Sequence, residues 1–240
     1  MKKLSALGFS STTKDLINDY LFHRYQLLKI KSHFSDWLQT IKGVQQGTVL
    51  GPLIYLLYVN EFQHRVKNIE HIQFADDTMI FTSAKTVEQA VKKLETLLKT
   101  CSLYFEENQL TINKAKTQFM VLSPSKTSIN TTLKFDEANV NSVQSVKYLG
   151  VNFDSKLTYD DEVKKILRRM AMGIKTMYTL RNIFPIKTRK VLYQTLVMSH
   201  LEYSSVLLTG ISEKLLQSLQ KQQNWALKQN FSKRKNQPYE

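Results

Sequence analysis

The chain has 240 residues, 42% of them hydrophobic and 22% charged, and a formal net charge of +14. That apolar content excludes a disordered chain and suffices for a substantial core, while the longest apolar run, "VLGPLIYLLYV", is broken by Gly51 and Pro52 and falls short of the roughly 18 residues of a membrane span. The charge is uneven: residues 155 to 240 hold 16 Lys/Arg against 6 Asp/Glu and residues 1 to 154 hold 18 against 14, which favours a polyanionic partner such as nucleic acid.

The start, "MKKLSALGF", has a basic pair before apolar residues, but Gly8 and the polar run after it end the stretch too early for a signal peptide. With a single cysteine, Cys101, this predicts an intracellular protein, in the nucleus and/or the cytoplasm, with no membrane association and an oligomeric state the sequence leaves unknown.

In chain order, the spacing predicts a helix over 14–28, then a glycine-punctuated loop, "GVQQGTVLGP" (43–52), leading into the apolar "LIYLLYVNEF". "IQFA" and "TMIFT" read as two short strands joined tightly through Asp76 and Asp77. Thr86 and Gln89 form a capping-box pattern ahead of Val87, Val91, Leu94, Leu98, Cys101 and Phe105 at helical spacing. "KTQFMVL" and "VKYLGVNF" read as further strands, with a polar loop from Ser123 to Asn130 between them.

From Asp160 the pattern is helical, with Val163, Ile166, Leu167, Met170, Ile174 and Met177 on one face and Lys164, Lys165, Arg168, Arg169 and Lys175 elsewhere; Pro185 separates this helix from the next. Asp160, Asp161 and Glu162 suit the positive end of the helix dipole. A boundary is expected at 150–160, where strands give way to basic helices.

The Asp76/Asp77 pair is the unusual feature. A hairpin turn without function favours Asn-Gly or Asp-Gly, whereas two aspartates repel and supply no glycine. Two carboxylates at the tip of a buried hairpin would attract a divalent cation able to bind phosphate oxygens as well, as in two-metal phosphoryl transfer. The dipeptide alone leaves a plain turn equally open.

Four segments in order, "GVQQGTVLGPLIYLLYVNEF", "FADDTMIF", "ENQLTINKAKTQFMVLS" and "VKYLGVNFDSKLTY", resemble the reverse transcriptase of non-LTR (LINE-like) retrotransposons. The later "LYQTLVMSHLEYSSVLLTG" and "LLQSLQKQQNWALKQ" also resemble the region after the polymerase core in such elements. The resemblance implies that Phe74, Ala75, Asp76 and Asp77 form the catalytic turn, with Asp76 the stronger Mg²⁺ ligand and Asp77 supporting it. It implies that Gln46 and Gly47 line template and incoming nucleotide, that Arg24 touches template phosphate, and that Lys116 assists the departing pyrophosphate. Tyr148, Leu149 and Gly150 match the turn that grips the primer end. Gln45 departs from the family's usual proline and Thr48 from its usual serine. The basic side chains Lys164, Lys165, Arg168, Arg169 and Lys175 fit a thumb that follows the nucleic-acid backbone; a solvated face is the alternative.

The resemblance also sets an expectation of truncation. The family's first catalytic aspartate precedes a segment like "KKLSALGFS", at which this chain starts, and Asp15 and Asp19, in a helical setting, do not resemble it. The expected fold is α+β: a partial polymerase palm, an antiparallel sheet with packed helices, over 1–155, then a basic α-helical thumb and C-terminal extension over 156–240. The expected function is that of an RNA-directed DNA polymerase domain fragment, taking an RNA template, a DNA primer and dNTPs in the complete domain, with an incomplete two-metal site and no synthesis of its own. The alternatives are a non-enzymatic nucleic-acid-binding protein and a metal-dependent nuclease, for which only His71 offers a further ligand near the pair.

Overall fold

The computed structural model describes residues 1–67, 69–123 and 129–231. It is α+β, with helices interspersed among short antiparallel strand pairs, and divides into two compact units, residues 1–112 and 113–240. The strands form five separate two-stranded ribbons among the described residues, where the sequence suggested one antiparallel sheet.

The first unit begins with α1 (Lys2–Ala6) and α2 (Ser11–Leu21), whose N-terminus is capped by Ser10 accepting from the Thr13 N–H at 3.2 Å. The helix expected over 14–28 ends early, because Phe22 is extended and His23 takes a left-handed φ of 56°. The chain then makes a nested pair of ribbons, β1 (Arg24–Gln26) with β4 (Leu38–Thr40) and β2 (Lys29–Ile30) with β3 (His33–Phe34). After the glycine loop come α3 (Leu50–Val59) and α4 (Phe62–Arg65), then the ribbon of β5 (Glu70–Phe74) and β6 (Asp77–Phe81), and finally α5 (Val87–Glu107).

Thr86 caps α5 as its sequence predicts, its Oγ1 accepting from the Gln89 N–H at 3.3 Å. The core of this unit is Phe62, Val66, Ile69, Cys101 and Tyr104, with Ile80, Leu97 and Phe105 packed against it. His71 meets the Phe62 ring edge-on at 4.8 Å between centroids. Lys3 ties three segments together, donating to the Tyr58 carbonyl and to Asn108 Oδ1, both at 2.6 Å.

In the second unit a 3₁₀ turn (Lys114–Lys116) precedes two hairpins, β7 (Thr132–Phe135) with β8 (Ala138–Asn141), and β9 (Ser145–Tyr148) with β10 (Val151–Asp154). "KTQFMVL" is not a strand: Phe119 makes one isolated bridge to Ser142, and no neighbouring segment offers a continuous edge among the described residues. The polar loop expected from Ser123 to Asn130 lies largely outside the described residues. "VKYLGVNF" does form strand structure, as the β9–β10 hairpin.

The helical part follows: α6 (Asp160–Leu180), α7 (Ile186–Tyr193), a π-helical turn (Gln194–Met198), α8 (Ser199–Glu202) and α9 (Glu213–Phe231). The apolar face predicted for α6 is the observed one. Val163, Ile166, Met170, Ile174 and Met177 are buried with Val197, Leu219 and Ala226, and Leu167 packs at the margin. Each fully buried Val, Leu, Ile or Met side chain among these stabilises the unit by about 2 kcal/mol, before conformational entropy is counted. Pro185 stands at the N-cap of α7, where its fixed φ and missing N–H cost nothing.

Candidate functional site

The acidic pair sits at the tip of the β5–β6 ribbon, with one correction to its geometry. Phe74 pairs with Asp77, so the two-residue loop is Ala75–Asp76 and Asp77 opens β6. Ala75 holds a left-handed φ of 52°, a conformation that costs an alanine of order 1 kcal/mol. The hairpin expected to be buried packs one face on the core, and at its tip Phe74, Ala75, Asp76 and Asp77 all face solvent.

The ribbon's inner face carries His71 and Ile80 to the core, and its outer face carries Ile72, Phe74, Asp77 and Phe81. Neither Asp76 nor Asp77 has an ion-pair partner among the described residues. The Asp76 carboxylate is felt nearby: burial first, and then this negative charge, hold the Tyr55 phenol of α3 above its ordinary pKa.

Two exposed carboxylates without a competing cation are hard oxygen donors of the kind Mg²⁺ prefers. The donor set stops there, since no group of three His, Cys, Asp or Glu side chains comes together among the described residues.

The glycine loop belongs to the same unit. Gly43 and Gly47 have φ of 75° and 78°, and nothing lies within 4 Å of where a Gly47 Cβ would stand, so the glycine is required by its backbone and leaves an open approach. Gln46 is exposed beside it. Thr48 Oγ1 donates to the Gln45 carbonyl at 2.9 Å and shares a hydrogen bond with the Tyr20 hydroxyl at 2.5 Å. Arg24 is engaged within the protein: its Nε donates to the Leu21 carbonyl at 2.8 Å, closing the end of α2, and its Nη2 donates to the Gly43 carbonyl at 2.7 Å.

The remaining candidates lie in the second unit. Lys116 is exposed at the end of the 3₁₀ turn, its backbone N–H held by Asn113 Oδ1 at 3.2 Å. Tyr148, Leu149 and Gly150 close the β9–β10 hairpin, with Leu149 at φ 46° and Gly150 at φ 81°. On α6, Lys164 is exposed and paired with Asp161 at 2.9 Å, and that hydrogen-bonded pairing raises the lysine's pKa. Arg168, Arg169 and Lys175 are exposed without ion-pair partners among the described residues. Lys165 is different: it is half-buried, bonded to both carboxylate oxygens of Glu162 at 2.8 Å and to the Gly150 carbonyl.

Three residues that matter for these surfaces escaped the sequence reading. Glu162 is only 4% exposed and also accepts the Asn152 N–H at 2.9 Å, a tertiary role that a helix-terminal acid does not advertise. Tyr203 donates to the Leu149 carbonyl from 54 positions away. Asp154 accepts from the N–H groups of Lys156, Thr158 and Tyr159, building the turn between β10 and α6.

The family model described as reverse transcriptase (RNA-dependent DNA polymerase) matches residues 1–153. Three Drosophila melanogaster proteins are similar. The one named probable RNA-directed DNA polymerase from transposon BS is 24% identical over 70% of this chain and 19% of its own. The RNA-directed DNA polymerase from mobile element jockey is 22% identical over 79% of this chain and 21% of its own. The probable RNA-directed DNA polymerase from transposon X-element is 24% identical over 78% and 21%. The match thus spans about a fifth of these relatives' length. No solved structure matches. Among the described residues no helix is long and apolar enough to cross a membrane.

Proposed function

The chain belongs to the reverse transcriptase (RNA-dependent DNA polymerase) family, in its non-LTR, LINE-like branch, and on that premise we propose that it is the portion of an RNA-directed DNA polymerase that presents two metal-binding carboxylates and holds an RNA template paired with a DNA primer. The observation that carries this reading is the exposed Asp76/Asp77 tip, free of cationic partners among the described residues. Residues 1–155 are the palm portion and residues 156–240 the thumb and C-terminal extension.

Asp76 and Asp77 would hold Mg²⁺, which when bound acidifies the attacking primer hydroxyl and offsets phosphate charge. Gln46 and Gly47 bound the space for template and nucleotide, because Gly47 presents bare backbone there. Arg24 acts through the loop by fixing the Gly43 carbonyl. Lys116 supplies positive charge to the departing pyrophosphate, and the Tyr148–Gly150 turn supports the primer end. Lys164, Arg168, Arg169 and Lys175 follow the phosphate backbone without reading sequence. With two carboxylates in the set, cation binding is weak and the chain by itself does not extend a primer.

Two measurements on the whole chain test this. Fe²⁺ in place of Mg²⁺, with ascorbate and peroxide, should cleave the backbone around residues 75–78, and Asp76→Asn should abolish that cut; cleavage elsewhere defeats the carboxylate assignment. Fluorescence anisotropy with an RNA–DNA hybrid should show affinity falling with salt. Replacing Lys164, Arg168, Arg169 and Lys175 by Gln should flatten the log–log slope by about 0.9 per lost phosphate contact, the figure for B-DNA. An unchanged slope assigns these side chains to solvation alone.

A further inference from the structure

The hairpin turn at Leu149–Gly150 is held from outside itself. Both residues have positive φ, the backbone of a type I′ connection, for which Asn-Gly is the favoured pair. Leucine is a poor occupant of that region, which costs a residue with a Cβ of order 1 kcal/mol, so contacts that hold the turn from outside offset a strain that the hairpin itself carries. The surroundings here are two side chains from the helical part. Tyr203, at the end of α8, donates its hydroxyl proton to the Leu149 carbonyl at 2.6 Å. Lys165, on α6, donates to the next carbonyl, that of Gly150.

Lys165 is itself oriented. Glu162, one helical turn before it, grips the ammonium with both oxygens at 2.8 Å and accepts the Asn152 N–H at 2.9 Å. The path from the Gly150 carbonyl through Lys165 and Glu162 to the Asn152 amide therefore starts and ends on the same hairpin. The ribbon does not need it for pairing, since β9 and β10 are matched residue for residue from Tyr148–Val151 to Ser145–Asp154. A carboxylate 4% exposed and its ammonium partner carry a desolvation cost that the hydrogen bonds to Lys165 and to the Asn152 amide have to offset. The placement of the turn is what the pair secures.

We propose that Glu162, Lys165 and Tyr203 are positioning residues that clamp the Leu149–Gly150 turn in the geometry that receives the 3′ end of a nucleic-acid primer; this rests on the reading of that turn as the primer contact. Lys165 accordingly acts through the turn and does not bind phosphate. Tyr203, 70% exposed yet fixed at its hydroxyl, joins the end of α8 to a turn 54 residues earlier.

The test uses the whole chain and an RNA template annealed to a DNA primer ending in 4-thiothymidine. In the wild-type protein the photo-crosslink should map to residues 145–154. Tyr203→Phe, which removes one hydroxyl from an exposed ring and so leaves folding intact, and Lys165→Gln should each cut that crosslink at least about fivefold, as misplacement of a reacting group does. Anisotropy affinity and its salt slope should move by less than about twofold, because phosphate contacts set them. Hydrogen exchange at residues 149–153 should accelerate in both variants, and Lys165→Arg should recover part of the crosslink.

Crosslinking and exchange unchanged in both variants, with the wild-type crosslink at the turn, overturn the clamp. A wild-type crosslink that maps elsewhere overturns the primer-contact reading and the positioning role with it, and the exchange data then show whether the clamp itself stands.

Discussion

Phe74 stands directly opposite Asp77 across the β5–β6 ribbon, which leaves Ala75 and Asp76 alone in the loop. The two aspartates therefore differ in backbone setting, one in the turn and one in the strand, although both are exposed. Ala75→Gly should stabilise the chain by roughly 0.5–1 kcal/mol, since glycine occupies the left-handed region without a Cβ clash. Asp76→Asn should be neutral or mildly stabilising, within about 0.5 kcal/mol, because it removes a repulsion and breaks no ion pair among the described residues. Millimolar Mg²⁺ should shift the wild-type melt by no more than about 2 °C. Urea melts of the three proteins check the two substitutions and thermal melts with and without Mg²⁺ check the third expectation; a thermal midpoint that climbs steeply with Mg²⁺, and only while Asp76 is present, would mean a tighter site than two carboxylates form.

How much of this was legible depends on which forces are local. The apolar face of α6 and the Thr86 cap of α5 were readable because each is written in spacings of three and four residues. The acidic loop was misplaced by one residue for a definite reason. Loops at 75–76 and 76–77 both put His71, Gln73, Thr78 and Ile80 inward, so alternation cannot choose between them, and packing against Phe62 does. "KTQFMVL" has strand-like composition, but a strand needs a partner edge, which composition does not reveal. Lys165 counted as one cation among several. Only the fold shows that Glu162 and the Gly150 carbonyl hold it while Arg168 and Arg169 stay outside.

Asp154 should make stability depend on acid. Burial opposes its ionisation, but the backbone N–H groups of Thr158, Tyr159 and Lys156 outweigh that and hold its carboxyl below the ordinary value of 3.8. A depressed pKa contributes stability that is present above that value and is lost as pH falls below it through the folded-state pKa. Asp154→Asn keeps one acceptor oxygen for three donors and should cost about 1–2 kcal/mol at pH 7. Its urea midpoint should then fall less than the wild type's between pH 5 and pH 3. Parallel pH profiles for the two proteins would show that the turn does not depend on the charge.

Cys101 should work in the opposite direction. It is 1% exposed, and burial pushes its thiol up from an ordinary 9.0 to about 11. Because the fold holds it neutral, its contribution is complete below pH 9 and is lost as pH rises from 9 toward 11, by about 2 kcal/mol at the upper end. Tyr104, pushed up to about 12 chiefly by burial, adds a similar loss at higher pH. In Cys101→Ala the part of the decline that sets in near pH 9 should disappear and the later part remain. At pH 8 a thiol reagent should label the native protein at least about 100-fold more slowly than the urea-unfolded chain; equal rates would place the thiol at the surface.

Gly173 offers the sharpest test of the helical unit, because local and tertiary physics predict opposite signs. It lies inside α6, where glycine costs roughly 1 kcal/mol against alanine, so helix propensity alone makes Gly173→Ala stabilising. In the fold, an added Cβ would collide with the Leu196 carbonyl oxygen and lie 3.0 Å from its carbon and 3.1 Å from the Leu196 Cβ. Leu196 belongs to the π-helical turn (Gln194–Met198), so the obstacle is backbone and cannot swing aside as a flexible side-chain end would. Val197, buried next to it, would have to move as well. Overpacking of this kind typically costs about 1–3 kcal/mol, enough to exceed the propensity gain. We expect Gly173→Ala to lower the urea midpoint at an unchanged m-value. Gly210→Ala, at a site with nothing within 4 Å of the added carbon, should change it by no more than about 0.5 kcal/mol. A Gly173→Ala protein as stable as the wild type, or more so, would mean that α6 and the π-helical turn do not approach this closely.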